Sequence, residues 1–101
     1  MDTKTLITEA KARFNHNSAK AYLKEKYESK LIVADQLGLW SANPATINFL
    51  TSSTEDEIII IDNFNNPVKI KRKLLLAKLN AVYKSTMEEW YTEWVELEKK
   101  R

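Results

Sequence analysis

An α+β fold is predicted for this chain by three observations. A run of four isoleucines is followed by turn residues and an alternating strand, the last thirty residues carry apolar side chains at heptad-like spacing with nothing to break a helix, and the first thirty carry helical periodicity. The elements expected are two N-terminal helices, a small antiparallel β-sheet of two or three strands built on a hairpin of residues 58–71, a short helix over residues 43–50, and a long C-terminal amphipathic helix. A chain of 101 residues is read as a single domain, residues 1–101, with one modest core.

The N-terminal third places Leu6, Ile7, Ala10 and Phe14 at helical spacing, with Asp2 or Thr3 to cap the first turn. Asn15, His16, Asn17 and Ser18 then interrupt the pattern. A second helix follows, capped by Asn17 or Ser18, with Ala19, Tyr22, Leu23, Tyr27 and Leu31 on one side; a bend within one helix is the alternative. From about Leu31 the β-branched residues of LIVADQLGLW predict a strand that passes into a turn or bulge around Gly38, with helix to Gln36 as the competing reading. Asn43 as cap and Pro44 in the first turn, where a missing N–H costs nothing, mark the short helix.

Residues Ile58 to Ile61 are apolar on both faces, so this strand is expected to be central, with the alternating Val68, Lys69, Ile70, Lys71 strand beside it. Pro67 suits a strand start, where no ladder donor is required. The carboxylates Glu55, Asp56, Glu57 and Asp62 guard the isoleucines against edge-to-edge aggregation. In the last helix Leu76, Tyr83, Trp90 and Leu97 recur every seven residues, with Asn80, Met87 and Trp94 interleaved and Leu75, Leu79 and Val82 widening the first half of the seam.

Composition excludes several function classes. One glycine is too few for a phosphate-cradling loop, and the absence of cysteine removes disulfides, thiol nucleophiles and cysteine-ligated zinc. No run approaches a membrane span, and the charged N-terminus does not resemble a signal peptide, so a soluble, cytoplasmic protein is expected. The DNFNNP turn fails as a calcium loop: counted from Asp62, the third position is Phe64, the sixth Pro67 and the twelfth Lys73. His16 is the only histidine, in an Asn-rich interruption where a solvated or capping role is expected, and no partner at motif spacing makes it catalytic. The chain is therefore expected to be no enzyme, with no catalytic residue, cofactor, metal or small-molecule substrate.

Two binding readings remain. Charge is segregated into blocks: residues 51–66 hold four acids and no base, and residues 67–84 hold six bases and no acid, although the net charge is only +2. The basic block, Lys69, Lys71, Arg72, Lys73 and Lys78, supports nucleic-acid binding as the alternative function. The favoured site is the aromatic end of the last helix: Tyr83, Met87, Trp90, Tyr91, Trp94 and Leu97. A helix of about 30 residues is ~45 Å long, whereas a compact domain of this size is roughly 30–35 Å across. Its far end needs cover from the N-terminal helices, from a second copy (a homo-oligomer) or from another protein. Amphipathic membrane attachment is set aside, because the polar side of that end is acidic.

The stretches LGLWSANPATINFL and IIIIDNFNNPVKIKRKLLL resemble small accessory proteins of tailed phages, including myoviruses of cyanobacteria. The shared features are a Gly-Leu-Trp element, a Pro-started short helix and an Asp-aromatic-Asn-Pro hairpin leading into a long helix, over residues 31–101. The resemblance implies a setting, a virion or the cytoplasm of an infected bacterium, and assigns no functional residue. The function expected is a non-enzymatic protein–protein interaction, with a host or phage protein or with a second copy.

Overall fold

The computed structural model describes residues 3–100, with side chains from Asn15 onward. Its order is α1 (Thr3–Lys30), β1 (Ile32–Asp35), β2 (Gly38–Ser41), α2 (Pro44–Ser52), β3 (Glu57–Ile61), β4 (Pro67–Lys71) and α3 (Arg72–Lys99). The class is α+β, as expected, with a long C-terminal helix and antiparallel hairpins.

The two expected N-terminal helices are one continuous α1. Asn15 to Ser18 contain neither Gly nor Pro, and their weak propensity, roughly 0.5 kcal/mol per residue below alanine, is overridden by the turns on either side and by packing on α3. His16 consequently lies mid-helix and faces α3, with Nε2 3.2 Å from Glu98 Oε1. The cap assigned to Asp2 or Thr3 and the side chains of Leu6, Ile7, Ala10 and Phe14 lie outside the described residues.

The expected strand after Leu31 is the first half of a hairpin that ends before Gly38. β1 and β2 pair antiparallel from Ile32 with Ser41 to Asp35 with Gly38, leaving Gln36 and Leu37 as a two-residue turn. Both have positive φ, 48° and 65°, which a tight hairpin of right-twisted strands demands and which Asn-Gly usually supplies. Tertiary bonds hold this conformation: Lys71 N–H donates to Gln36 Oε1 (2.6 Å) and Gln36 Nε2 donates to the Lys71 carbonyl (3.2 Å). Gly38 serves closeness, since a Cβ there would meet the Trp40 indole, with Cε2 only 2.8 Å away. Trp40 is itself buried and donates Nε1–H to the Asp35 carbonyl at 2.8 Å.

Helix α2 begins as the sequence predicts. Asn43 Oδ1 accepts from Thr46 N–H at 2.9 Å, and Pro44 occupies the first turn. β3 and β4 form the second hairpin, but β3 is not central. The two hairpins are separate two-stranded sheets, and among the described residues β3 bonds only to β4. Ile58 and Ile60 face the core, whereas Ile59 and Ile61 face outward, 67% and 62% exposed.

Asp62 clasps the hairpins together. Its Oδ1 accepts from the N–H groups of Phe64 and Asn66, both at 3.0 Å, and its Oδ2 from Leu39 N–H at 3.1 Å. Asn63 N–H adds a bond to the Leu39 carbonyl at 2.8 Å. The core then gathers Val33, Trp40, Ala42, Leu50 and Ile70 against Leu75 and Leu79 of α3. The second half of α3 leaves this head and pairs antiparallel with α1, as the Lys26–Glu93 and Lys30–Glu89 ion pairs show. The molecule is elongated, 65 Å in its longest direction with a radius of gyration of 19.3 Å, against about 13 Å for a compact chain of this length.

Two outcomes are expected. Gly38→Ala forces the added methyl into the Trp40 indole and costs about 1–3 kcal/mol by overpacking, measurable by urea unfolding. The second concerns Asp62, whose pKa lies below its ordinary 3.8, chiefly through the Asn66 N–H and then those of Leu39 and Phe64. A folded pKa below the unfolded one means stability that is complete above about pH 4 and is lost as pH falls through the folded value. Asp62→Asn should lower the melting temperature at pH 7 and flatten its acid dependence.

Candidate functional site on the helical arm

Helix α3 starts directly at the end of β4, without a loop, so its phase is set by the hairpin. That phase turns Leu75 and Leu79 into the head and, three turns further on, Trp90 toward α1. Trp90 stacks on the buried Tyr27, with ring centroids 5.9 Å apart and planes 12° from parallel. Around this pair the ammonium groups of Lys26 and Lys30 lie 5.1 and 5.0 Å from the Tyr27 ring centroid. Lys26 Nζ donates to Glu93 Oε1 at 2.9 Å.

The charges of this cluster reinforce one another. Glu93 is held below its ordinary carboxylate range, first by the Lys26 ammonium and then by the Tyr27 hydroxyl. Lys26 is raised by the same carboxylate, and burial together with Glu93 raises Tyr27. These partners lock the two helices in one register; as partly exposed ion pairs Lys26–Glu93 and Lys30–Glu89 specify geometry more than they add stability.

Outside the lock lies a second aromatic pair. Tyr91 and Trp94 stack on each other, 6.1 Å between centroids and 27° between planes, and remain 65% and 39% exposed. Next to them Lys20, Ala21, Leu23 and Lys24 of α1 and Trp90 and Trp94 of α3 line a predominantly apolar cleft of about 310 Å³. The six residues singled out on α3 thus divide. Tyr83 packs against the head core, Trp90 is covered by α1, Met87 and Leu97 are half-buried, and Tyr91 and Trp94 face out. Seven-residue spacing grouped Trp90 with Trp94; only the position of α1 separates them.

The structure sets part of the basic block against acids, with Lys71 and Lys73 lining one cleft together with Asp56 and Glu57. Lys69 pairs with Glu57 at 3.3 Å and Lys73 approaches Asp56 at 3.9 Å. Arg72 is buried, with Nε–H donating to the Glu55 carbonyl at 2.7 Å and Nη1–H to the Leu50 carbonyl at 3.0 Å. Lys71 and Lys78 are exposed. Among the described residues no group of three or more His, Cys, Asp or Glu side chains is placed to hold a metal ion, and no helix is long and apolar enough to cross a membrane.

Sequence reading missed a further feature. Leu37, at the tip of the first hairpin, is fully exposed, and Phe64, at the tip of the second, is 68% exposed; both border a cleft of about 560 Å³ with Asp35 and Asp62. No local pattern signals it, because the two tips are brought together by the Asp62 clasp.

Comparison with family models, with curated proteins and with solved structures finds no match.

The division of the tryptophans is testable by stability alone. Trp90→Ala removes the ring that covers Tyr27 and should cost about 2–4 kcal/mol. Trp94→Ala should cost under ~1 kcal/mol, as outward-facing substitutions do. Chemical denaturation monitored by circular dichroism checks both.

Proposed function

We propose that this chain is a non-enzymatic protein-interaction domain whose helical arm docks onto helices of a partner through Tyr91, Trp94 and the adjoining cleft. The observation that supports this reading is the outward stacked pair. Aromatic side chains bury much area for little lost rotamer freedom and serve as interface anchors. An arm of two helices covers each helix on one side only. Two such arms laid face to face make a four-helix bundle, so the first partner to test is a second copy.

The resemblance of residues 31–101 to tailed-phage accessory proteins supplies the setting we propose with it: a small phage protein acting in the cytoplasm of an infected cell, on a host protein, a phage protein or itself. The nucleic-acid alternative draws no such support, since Arg72, the best phosphate-binding side chain of the basic block, is committed to backbone carbonyls.

Light scattering of the purified chain should show a dimer that persists at ~1 M salt, where the Debye length is about 3 Å and surface charge attraction is screened. The folded double variant Tyr91→Ala, Trp94→Ala should be monomeric. A dimer that dissolves with salt and ignores these two residues would sink the reading. A monomeric wild-type chain moves the test to a partner captured from host lysate, whose binding must likewise fail in the double variant.

A further inference from the structure

The outward isoleucines of β3 have no role in the fold or in the arm. Within the β3–β4 hairpin, Arg72 N–H donates to the Asp56 carbonyl and Asp62 N–H to the Asn66 carbonyl, which marks 56 with 72 and 62 with 66 as hydrogen-bonded pairs of the register. Pairs of an antiparallel ladder alternate. The N–H and C=O groups of Glu57, Ile59 and Ile61 therefore point away from β4, along an edge to which no strand is bonded among the described residues.

The two edges of this hairpin are treated differently. On the β4 side Pro67 lacks a donor, Lys69 and Lys71 supply charge, and both backbone groups of Lys71 are occupied by the Gln36 amide. Natural edge strands are blunted by such means. β3 has no proline, lysine or bulge within Glu57–Ile61, its register with β4 is unbroken, and its solvent face presents Ile59 and Ile61.

We infer that the free edge of β3 is a strand-docking site for a basic, extended peptide segment of another protein in which apolar residues alternate with lysine or arginine. Backbone pairing supplies affinity and alternate side chains supply selectivity, as in other β-augmentation sites. On the solvent face basic side chains of the incoming strand stand beside Ile59 and Ile61 and cover them with their methylene stems, as Lys69 stands beside Ile59 in β4, while its apolar side chains alternate to the other face, beside Ile58 and Ile60. Their ammonium groups answer Glu57 on that same face and the acids Glu55 and Asp56 that lead into it, in a stretch of residues 51–66 that contains no base. Glu57 and Asp56 are only loosely engaged by Lys69 and Lys73, in exposed pairs of 3.3 and 3.9 Å, and Glu55 has no ion pair among the described residues. β3 already accepts a strand of this chemistry on its bonded edge, where β4 reads Val68, Lys69, Ile70, Lys71. A second copy is the wrong occupant, because edge-to-edge pairing sets one acidic segment against another, and like charges across a ladder are destabilising.

The test uses the full chain and a fluorescein-labelled decapeptide of alternating valine and lysine, with anisotropy for affinity and amide NMR shifts for location. Binding should shift the amides of Ile59 and Ile61. It should weaken about tenfold or more in an Ile59→Thr, Ile61→Thr variant, a loss of ~1.4 kcal/mol, while the melting temperature stays near wild type because both side chains are exposed. Three control peptides should bind no better than that variant does: one with the same valines and lysines in two blocks, one with proline at the central lysine, and one with glutamate for lysine. The Tyr91→Ala, Trp94→Ala variant should bind the peptide as wild type does, which separates this site from the arm. Equal binding of the block or proline peptide, shifts confined to the arm, or a dimer abolished by the Ile59 and Ile61 substitutions would each overturn the inference.

Discussion

At the junction of β4 and α3 a single guanidinium ties three elements together. Arg72 is the first residue of α3, and its side chain turns back into the head to reach the Leu50 carbonyl near the C-terminal end of α2 and the Glu55 carbonyl in the segment before β3. Its own N–H closes onto Asp56. A cation at a helix C-terminus meets the negative end of the helix dipole, and carbonyl acceptors satisfy the buried charge without a carboxylate. With α2, the β3 approach and the start of α3 pinned at one point, the phase of α3 has no freedom left.

That phase propagates along the whole helix. At 3.6 residues per turn, a start fixed at Arg72 places Leu75 and Leu79 in the core, buries Thr86 and sets Trp90 over Tyr27. A rotation of α3 by one residue would expose Leu79 and dismantle the Tyr27–Trp90 stack together with the Lys26–Glu93 pair. The head thus acts as the anchor of the arm, and the direction in which Tyr91 and Trp94 point is decided some 20 residues earlier in the chain.

Surface apolarity is distributed in a way the core does not require. Ile59 and Ile61 on the β3 face, Leu37 and Phe64 at the hairpin tips, and Tyr91 and Trp94 on the arm form three separate exposed groups. Each sits on an element held rigidly by polar bonds: β3 through the Asp62 clasp, the Gln36–Leu37 turn through Lys71, and the arm through Lys26 and Glu93. Rigid presentation of apolar side chains lowers the entropy lost on binding.

Much of this was legible in local pattern. The Asn43 cap with Pro44, the turn-bounded Ile58 to Lys71 hairpin and the unbroken helix to the C-terminus follow from propensity, periodicity and capping, which act over a few residues and are written in adjacent letters. The β1–β2 hairpin was not legible, because Gln36 and Leu37 are poor turn residues whose positive φ is sustained by bonds to Lys71, 35 residues from Gln36. Nor was the separation of the two hairpins, since apolarity on both faces of Ile58 to Ile61 equally describes a central strand and an open edge. Sequence alone determined that Trp90 and Trp94 share one helix and need covering; tertiary structure decided that Tyr27 covers the first and leaves the second outside. Helical spacing defines a stripe, and the width of one neighbouring helix is too small to bury all of it.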